Sequence, residues 1–185
     1  MLNKQRVEAL TDAILAIIMT IMILEVHMPE GYEWSDLSKV FIPLVAFVIS
    51  FFSLVNLWLG HHEIFKRTGD ITYGVFWINM ILLFWVSTLP VATAWVAEYP
   101  TRPLPQAVFC VIGIGWACLL SLLSWQVDLS KNEDHSKFPW NEIWHRNYIW
   151  LIGLVLSLFL PYIALILGII TVLRVAIVAS LPRRN

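Results

Sequence analysis

Long runs of apolar residues, separated by short polar stretches, extend along almost the whole chain. A helix that crosses a hydrocarbon core of about 30 Å needs about 20 residues, and each run reaches that length. The pattern predicts helix 1 at about 5–27, helix 2 at about 37–61, helix 3 at about 71–97 and helix 4 at about 105–127. We therefore expect a bundle of membrane-spanning helices.

The last apolar run, from Ile143 to Leu181, is too long for one span. It is interrupted at Leu160-Pro161, where proline lacks a backbone N–H and disfavours helix in the residue before it. We predict two helices, at about 143–160 and about 161–181, joined by a tight turn. A single kinked helix is the alternative.

Composition supports the same class. Hydrophobic residues make up 59% of the 185 residues, charged residues make up 14%, and the mean hydropathy of +0.74 lies far from that of a soluble domain. We expect an all-α, polytopic membrane protein in which residues 1–185 form a single domain of six transmembrane helices. The net charge of -1 gives no indication of a nucleic-acid partner. No nucleophile with a paired base is apparent, so we do not expect an enzyme.

The distribution of Lys and Arg predicts the topology, because cytoplasmic loops carry an excess of these residues. With the N-terminus inside, only Lys39 and Arg102 fall in outer loops, and Arg174 lies within the last helix. Six spans with both termini cytoplasmic, in a multi-pass protein of the cell membrane, fit this distribution. The basic residues that then face the cytoplasm are Lys4, Arg6, Lys66, Arg67, Lys131, Lys137, Arg146, Arg183 and Arg184.

Helix 1 begins with charged residues, which is unusual for a membrane span. An ionisable group at membrane depth costs a few kcal/mol, so it usually faces protein or water and has a partner. Arg6 and Asp12 differ by ~120° around the helix and are poor partners for each other. His61 and His62, at the cytoplasmic end of helix 2, and Asn79 in helix 3 are better candidates. We predict a polar network that joins helices 1, 2 and 3.

The stretch RVEALTD, which begins at Arg6, resembles the Arg-x-x-x-Phe-Ser-Asp signature of the transmembrane protein 175 family of potassium channels. Leu10 and Thr11 stand where the signature has Phe and Ser, so an aromatic contact is lost while a hydroxyl is kept. Further similarity lies in WLGHHEIF with Trp58, in WINMILLFWVSTLP with Asn79, and in LPVAT. A single six-helix unit is similar to the prokaryotic branch of that family.

The resemblance implies a homotetrameric potassium channel without a re-entrant filter, in which helix 1 of each subunit lines the pore. It implies apolar constrictions at Ile17 and Leu24, with the hydroxyl of Thr20 between them and Ile21 beside the same stripe. Helical offsets of three and seven place the first three within ~60° of one another. The predicted structural network comprises Arg6, Thr11, Asp12, Trp58, His61, His62 and Asn79.

Acidic residues follow helix 1 and are expected at the outer mouth of such a pore, where they would concentrate cations. They are Glu25 and Glu30, together with Glu33 and Asp36. Potassium is then the permeant ion, the lipid bilayer and further copies of the chain are the partners, and no cofactor is expected.

Other interpretations remain open from the residues alone. Asp12 and His61 could act as a relay in a proton-coupled or other secondary transporter. An aliphatic stripe is also typical of lipid-facing surfaces, and the Thr20 hydroxyl could bond to its own helix backbone. A metal site at His61, His62 and Glu63 is disfavoured because adjacent residues diverge on a helix. A non-conducting assembly protein is a further alternative.

Overall fold

The helices of this protein occupy nearly all of the residues that the structure describes. The structure is a computed structural model that describes residues 2–29, 31–130, 138 and 140–180, with the side chains of residues 175–176 and 178–180 excepted. The elements in chain order are α1 (Lys4–Ile21), a 3₁₀ turn (Met22–Glu25), α2 (Trp34–Lys66), α3 (Tyr73–Val86), α4 (Leu89–Glu98), α5 (Pro103–Ser130), α6 (Trp140–Leu156) and α7 (Ile163–Ser180).

Within the described residues, four helical segments are long and apolar enough to cross a membrane: Lys4–Glu25, Trp34–Lys66, Tyr73–Glu98 and Pro103–Ser130. The helix α6 and the apolar part of α7, Ile163–Arg174, are shorter. The prediction of an all-α membrane protein is confirmed, and the cytoplasmic placement of both termini stays a prediction. Four of the basic residues used for that placement lie outside the described part, namely Lys131, Lys137, Arg183 and Arg184.

The third predicted helix is broken, which corrects the expectation of one helix at about 71–97. The hydroxyls of Ser87 and Thr88 donate to the carbonyls of Phe84 and Trp85 over 2.7 Å each. Pro90 follows and has no N–H to donate to a carbonyl of the preceding turn. As a result α3 ends at Val86 and α4 begins three residues later.

The second helix is longer at both ends than its apolar run predicts. It begins where the Asp36 carboxylate accepts a 3.3 Å bond from the Glu33 backbone N–H, which satisfies a donor at the helix start. It continues through the polar residues His61 and His62 as far as Lys66. The two histidines therefore lie inside α2 and not at its end.

The last apolar run forms two helices, as predicted. Between α6 and α7 the chain turns at Tyr162, whose φ is 60°. A Cβ on Gly153 would lie 2.5 Å from Leu167, so the two helices pack closely where the glycine has no side chain.

A buried glutamine joins three parts of the bundle at the same end. Gln106 of α5 donates to the Pro100 carbonyl over 2.9 Å and accepts a 3.0 Å bond from the Ala164 N–H in the first turn of α7. The Tyr162 N–H also donates to the Pro100 carbonyl, over 3.1 Å. These bonds satisfy backbone groups that a helix start leaves unpaired.

The start of α1 is fastened to the connection between α2 and α3. Leu2 and Ile71 exchange two backbone hydrogen bonds of 2.9 and 3.1 Å. The Lys4 ammonium donates to the Thr68 carbonyl over 3.1 Å. This fixes the helix that carries the sequence signature at its first turn.

Candidate functional site

The two faces of α1 differ in burial. The face formed by Val7, Thr11, Leu15, Ile18 and Met22 is buried in the protomer, and its spacing of three or four residues is that of a single helical stripe. The opposite face is exposed although it is almost wholly apolar. It carries the predicted pore positions Ile17, Thr20, Ile21 and Leu24.

Among the large apolar side chains of α1 and the 3₁₀ turn, exposure is greatest at the two predicted constrictions. Ile17 is 56% exposed and Leu24 is 73% exposed, whereas Ile18 is 5% exposed. Leu24 lies in the 3₁₀ turn, where residues three apart are eclipsed, so it stands above Ile21. The helical offsets used in the sequence analysis therefore apply only as far as Ile21.

The Thr20 hydroxyl bonds back to its own helix, as the alternative interpretation allowed. It lies 3.1 Å from the Ala16 carbonyl oxygen and 2.9 Å from that of Ile17, and it donates its proton to them. A hydroxyl oxygen keeps its lone pairs when it donates. Thr20 therefore presents acceptor capacity on an otherwise aliphatic face.

Three buried polar side chains form a chain of hydrogen bonds through α1, α3 and α2. Thr11 donates its proton to the Val7 carbonyl over 3.0 Å, so its oxygen accepts the 2.8 Å bond from Asn79 Nδ2. Asn79 Oδ1 then faces His61 Nε2 at 3.0 Å, and this nitrogen must carry the proton. His61 is therefore linked to Thr11 through the amide of Asn79 and not directly.

A second link between α1 and α2 lies beside the first and is exposed. Trp58 Nε1 donates to Asp12 Oδ1 over 2.8 Å. The ring of His62 stacks on Trp58, with 5.4 Å between the centroids and an interplanar angle of 7°. Among the described hydrogen bonds, Asp12 and His61 thus belong to separate groups.

Arg6 lies outside this network. Its side chain is exposed, and its backbone N–H donates to Asn3 Oδ1 over 3.3 Å in the cap of α1. Arg6 therefore belongs to the helix start. The other six predicted network residues form two separate groups, one of Thr11, Asn79 and His61 and one of Asp12, Trp58 and His62.

The acidic residues that follow α1 have different surroundings. Glu25 is half-buried at the end of the 3₁₀ turn, and Glu30 lies outside the described residues. Asp36 pairs with Lys39 at 2.9 Å and caps α2 through the backbone of Glu33. The charge of Asp36 is thus partly offset, which the sequence analysis did not anticipate.

One buried contact was missed in the sequence. Ser50 of α2 and Thr93 of α4 lie 2.8 Å apart. Thr93 donates its own proton to the Leu89 carbonyl over 2.9 Å, so Ser50 is the donor between them. Hydroxyl residues in otherwise apolar runs were the available signal.

Among the described residues there is no group of three or more His, Cys, Asp or Glu that could hold a metal ion.

Comparison with known proteins identifies relatives of this chain. The family model described as endosomal/lysosomal potassium channel TMEM175 matches residues 6–90, which contain both links between α1 and its neighbours. A protein named as a potassium channel from Chryseobacterium sp. (strain P1-3) is 32% identical over 175 residues, which cover 89% of this chain and 88% of that protein. Another, from Streptomyces collinus (strain DSM 40733 / Tue 365), is 28% identical over 130 residues, covering 66% of this chain and 63% of the relative.

A solved structure shares the fold. It is the crystal structure of a lysosomal potassium-selective channel TMEM175 homolog from Chamaesiphon minutus, with a TM-score of 0.82 and 22% sequence identity. The match covers 96% of this chain and 98% of that one. The identity to the Chryseobacterium protein extends over nearly the full length of both chains. The chain therefore belongs to the TMEM175 family of multi-pass membrane ion channels, and it is not an enzyme.

Proposed function

We propose that this protein is a potassium channel of the plasma membrane, in which four copies of the chain surround a pore lined by α1. The observation that carries the proposal is the exposed apolar stripe of α1, held opposite a face that is buried and hydrogen-bonded within the protomer. Relatives named as potassium channels support the choice of ion. Potassium is the permeant ion, and no cofactor is required.

The polar side chains beside the stripe favour a protein or water environment over lipid. Asp12 is exposed in the single protomer, and an ionised carboxylate at membrane depth costs a few kcal/mol unless it meets protein or water. Thr20 adds an acceptor on the same helix. A single protomer cannot enclose an axis, whereas a ring of four α1 helices would cover this surface.

In this arrangement the hydrogen bonds of α1 set its rotation about its own axis. A turn of one residue, about 100°, would carry Ile17 away from the axis. It would also break the bonds of Thr11 to Asn79 and of Asp12 to Trp58. A fully satisfied buried network favours a single arrangement, because each unpaired group is costly.

The rings formed by Ile17 and Leu24 would strip water from a passing ion. Potassium holds its hydration shell less strongly than sodium, so an apolar constriction favours potassium without a designed binding site. Such a constriction also closes readily by dewetting. Thr20, between the two rings, would replace part of the lost water with hydroxyl oxygen. This mechanism gives modest selectivity, and Glu25 and Glu30 would attract cations at the outer mouth.

A planar-bilayer recording with potassium on one side and sodium on the other tests the proposal. We expect a reversal potential shifted toward that of potassium, with current that needs no proton gradient. A flux that saturates and couples to protons would instead support a transporter that uses Asp12 and His61. Purified tetramer without current under either gradient would contradict conduction. A monomeric protein with full current would contradict the shared pore.

A further inference from the structure

Two arginines lie at the end of the bundle where α2 ends and α6 begins. They differ in whether a carboxylate is paired with the guanidinium. Arg67 of α2 donates from Nη1 to both carboxylate oxygens of Asp128, at 2.9 and 3.2 Å, and from Nη2 to Ser124 Oγ at 2.7 Å. Both acceptors are on α5. The charge of Arg67 is thus neutralised, and the residue ties α2 to α5.

Arg146 of α6 reaches in the opposite direction, towards α2. Its Nη1 lies 4.0 Å from the position that a Cβ on Gly60 would occupy, and Leu120 of α5 lies 3.7 Å from the same point. A Cβ there would be in ordinary van der Waals contact with both groups, so a longer side chain at position 60 would crowd the guanidinium. Because Gly60 is six residues before the end of α2, the guanidinium lies about 9 Å inside that end.

No ion pair between described residues involves Arg146, and its side chain is exposed. A guanidinium offers several N–H donors in one plane and binds phosphate oxygens in pairs. In the described part of the chain, no carboxylate forms an ion pair with the guanidinium of Arg146.

We expect Arg146 to lie near the depth of the lipid headgroups. Trp140 and Trp144, earlier on the same helix, are both exposed, and exposed tryptophans mark the membrane interface. Phe52 and Leu59 are exposed along α2 beside Gly60 and would accommodate an acyl chain. A soluble phosphate would not use that apolar surface.

We propose that Arg146 binds the phosphate group of an anionic phospholipid where α6 faces Gly60 of α2. Basic sites between transmembrane helices bind anionic headgroups on the cytoplasmic side, where the predicted topology of this chain has most of its basic residues. This proposal is independent of which ion the protein conducts.

The test is a titration of the purified protein with phosphatidylglycerol or phosphatidylcholine, with bound lipids counted by native mass spectrometry. We expect phosphatidylglycerol to bind more tightly than phosphatidylcholine, and Arg146→Gln to weaken phosphatidylglycerol binding about tenfold. Unchanged binding in Arg146→Gln would overturn the proposal. If that variant does not fold, Gly60→Leu fills the space of the guanidinium and keeps every charge. Its phosphatidylglycerol binding should also fall, and wild-type binding would overturn the proposal.

The control is Arg174→Gln, which removes a positive charge from α7. This charge lies on the side of α6 away from Arg146. The guanidinium of Arg174 lies over the Tyr148 ring, 5.4 Å from its centroid, and residues 146 and 148 point in nearly opposite directions on a helix. We expect wild-type lipid binding in this variant, and an equal loss would indicate general electrostatics and overturn the site. If inorganic phosphate binds at the same site with equal affinity, the ligand is a soluble anion and the lipid assignment fails.

Discussion

The hydroxyl of Thr11 accepts a 2.8 Å hydrogen bond from the side-chain amide of Asn79, at a point where both residues are fully buried. This bond joins the buried face of α1 to α3, directly behind the exposed stripe. The amide oxygen of Asn79 is bound in turn by His61. The orientation of α1 therefore depends on a side chain of a helix that carries none of the predicted pore positions.

Replacing Thr11 by Val should destabilise the protein by about 1–3 kcal/mol, because the shape is kept while Asn79 Nδ2 loses its buried acceptor. Thr11→Ser keeps the hydroxyl and is the matched control, with a loss of about 0.5–1.5 kcal/mol for the buried methyl group that it removes. Chemical unfolding of the purified protein measures both. Wild-type stability of the Val variant would show that the bond contributes nothing.

Replacing Asp12 by Ala should reduce the yield of tetramer, because Trp58 Nε1 loses the acceptor that holds it at 2.8 Å. Asp12→Asn keeps an acceptor oxygen but removes the titratable proton. We expect near-normal assembly and potassium flux for Asp12→Asn, since the proposed role is positional. Size-exclusion chromatography and liposome flux measure these quantities. Wild-type tetramer and current in Asp12→Ala would contradict the positioning role, and loss of flux in Asp12→Asn with a normal yield of tetramer would favour a proton relay.

Replacing Ile17 by Asn should raise sodium permeation relative to potassium, because an amide ring would hydrate the narrow part of the pore. The control is Ile81→Asn on α3, since Ile81 is 51% exposed and Ile17 is 56% exposed. Reversal potentials under bi-ionic conditions give the permeability ratio. An unchanged ratio in Ile17→Asn, or an equal change in Ile81→Asn, would contradict the constriction.

Replacing Gln106 by Leu should lower stability by about 1–3 kcal/mol without altering selectivity, because the Ala164 N–H is left without its buried acceptor. The thermal unfolding midpoint and the reversal potential separate the two effects. Gln5→Leu, at an exposed position of α1, controls for the change in polarity. A shift in permeability ratio without loss of stability would give Gln106 a role in conduction.

Most of the fold could be predicted from the sequence, because an apolar run that is long enough to cross a membrane has few alternatives to a helix. The break between α3 and α4 at Ser87 and Thr88 could not be predicted, since hydroxyl side chains occur in continuous helices and also in broken ones. Helical spacing identified the faces on which Thr11 and His61 lie. It could not show that Asn79 would stand between them, because that depends on the distance between helices.

The 3₁₀ turn that ends α1 has a mechanical consequence for the two proposed constrictions. A 3₁₀ helix winds about 20° more per residue than an α-helix and rises about 0.5 Å more. If Met22–Glu25 changed to α geometry, Leu24 would swing through about 60° and retract by about 1.5 Å, while Ile17 stayed in place. The outer ring could thus open or close by local rewinding, with the inner ring unmoved.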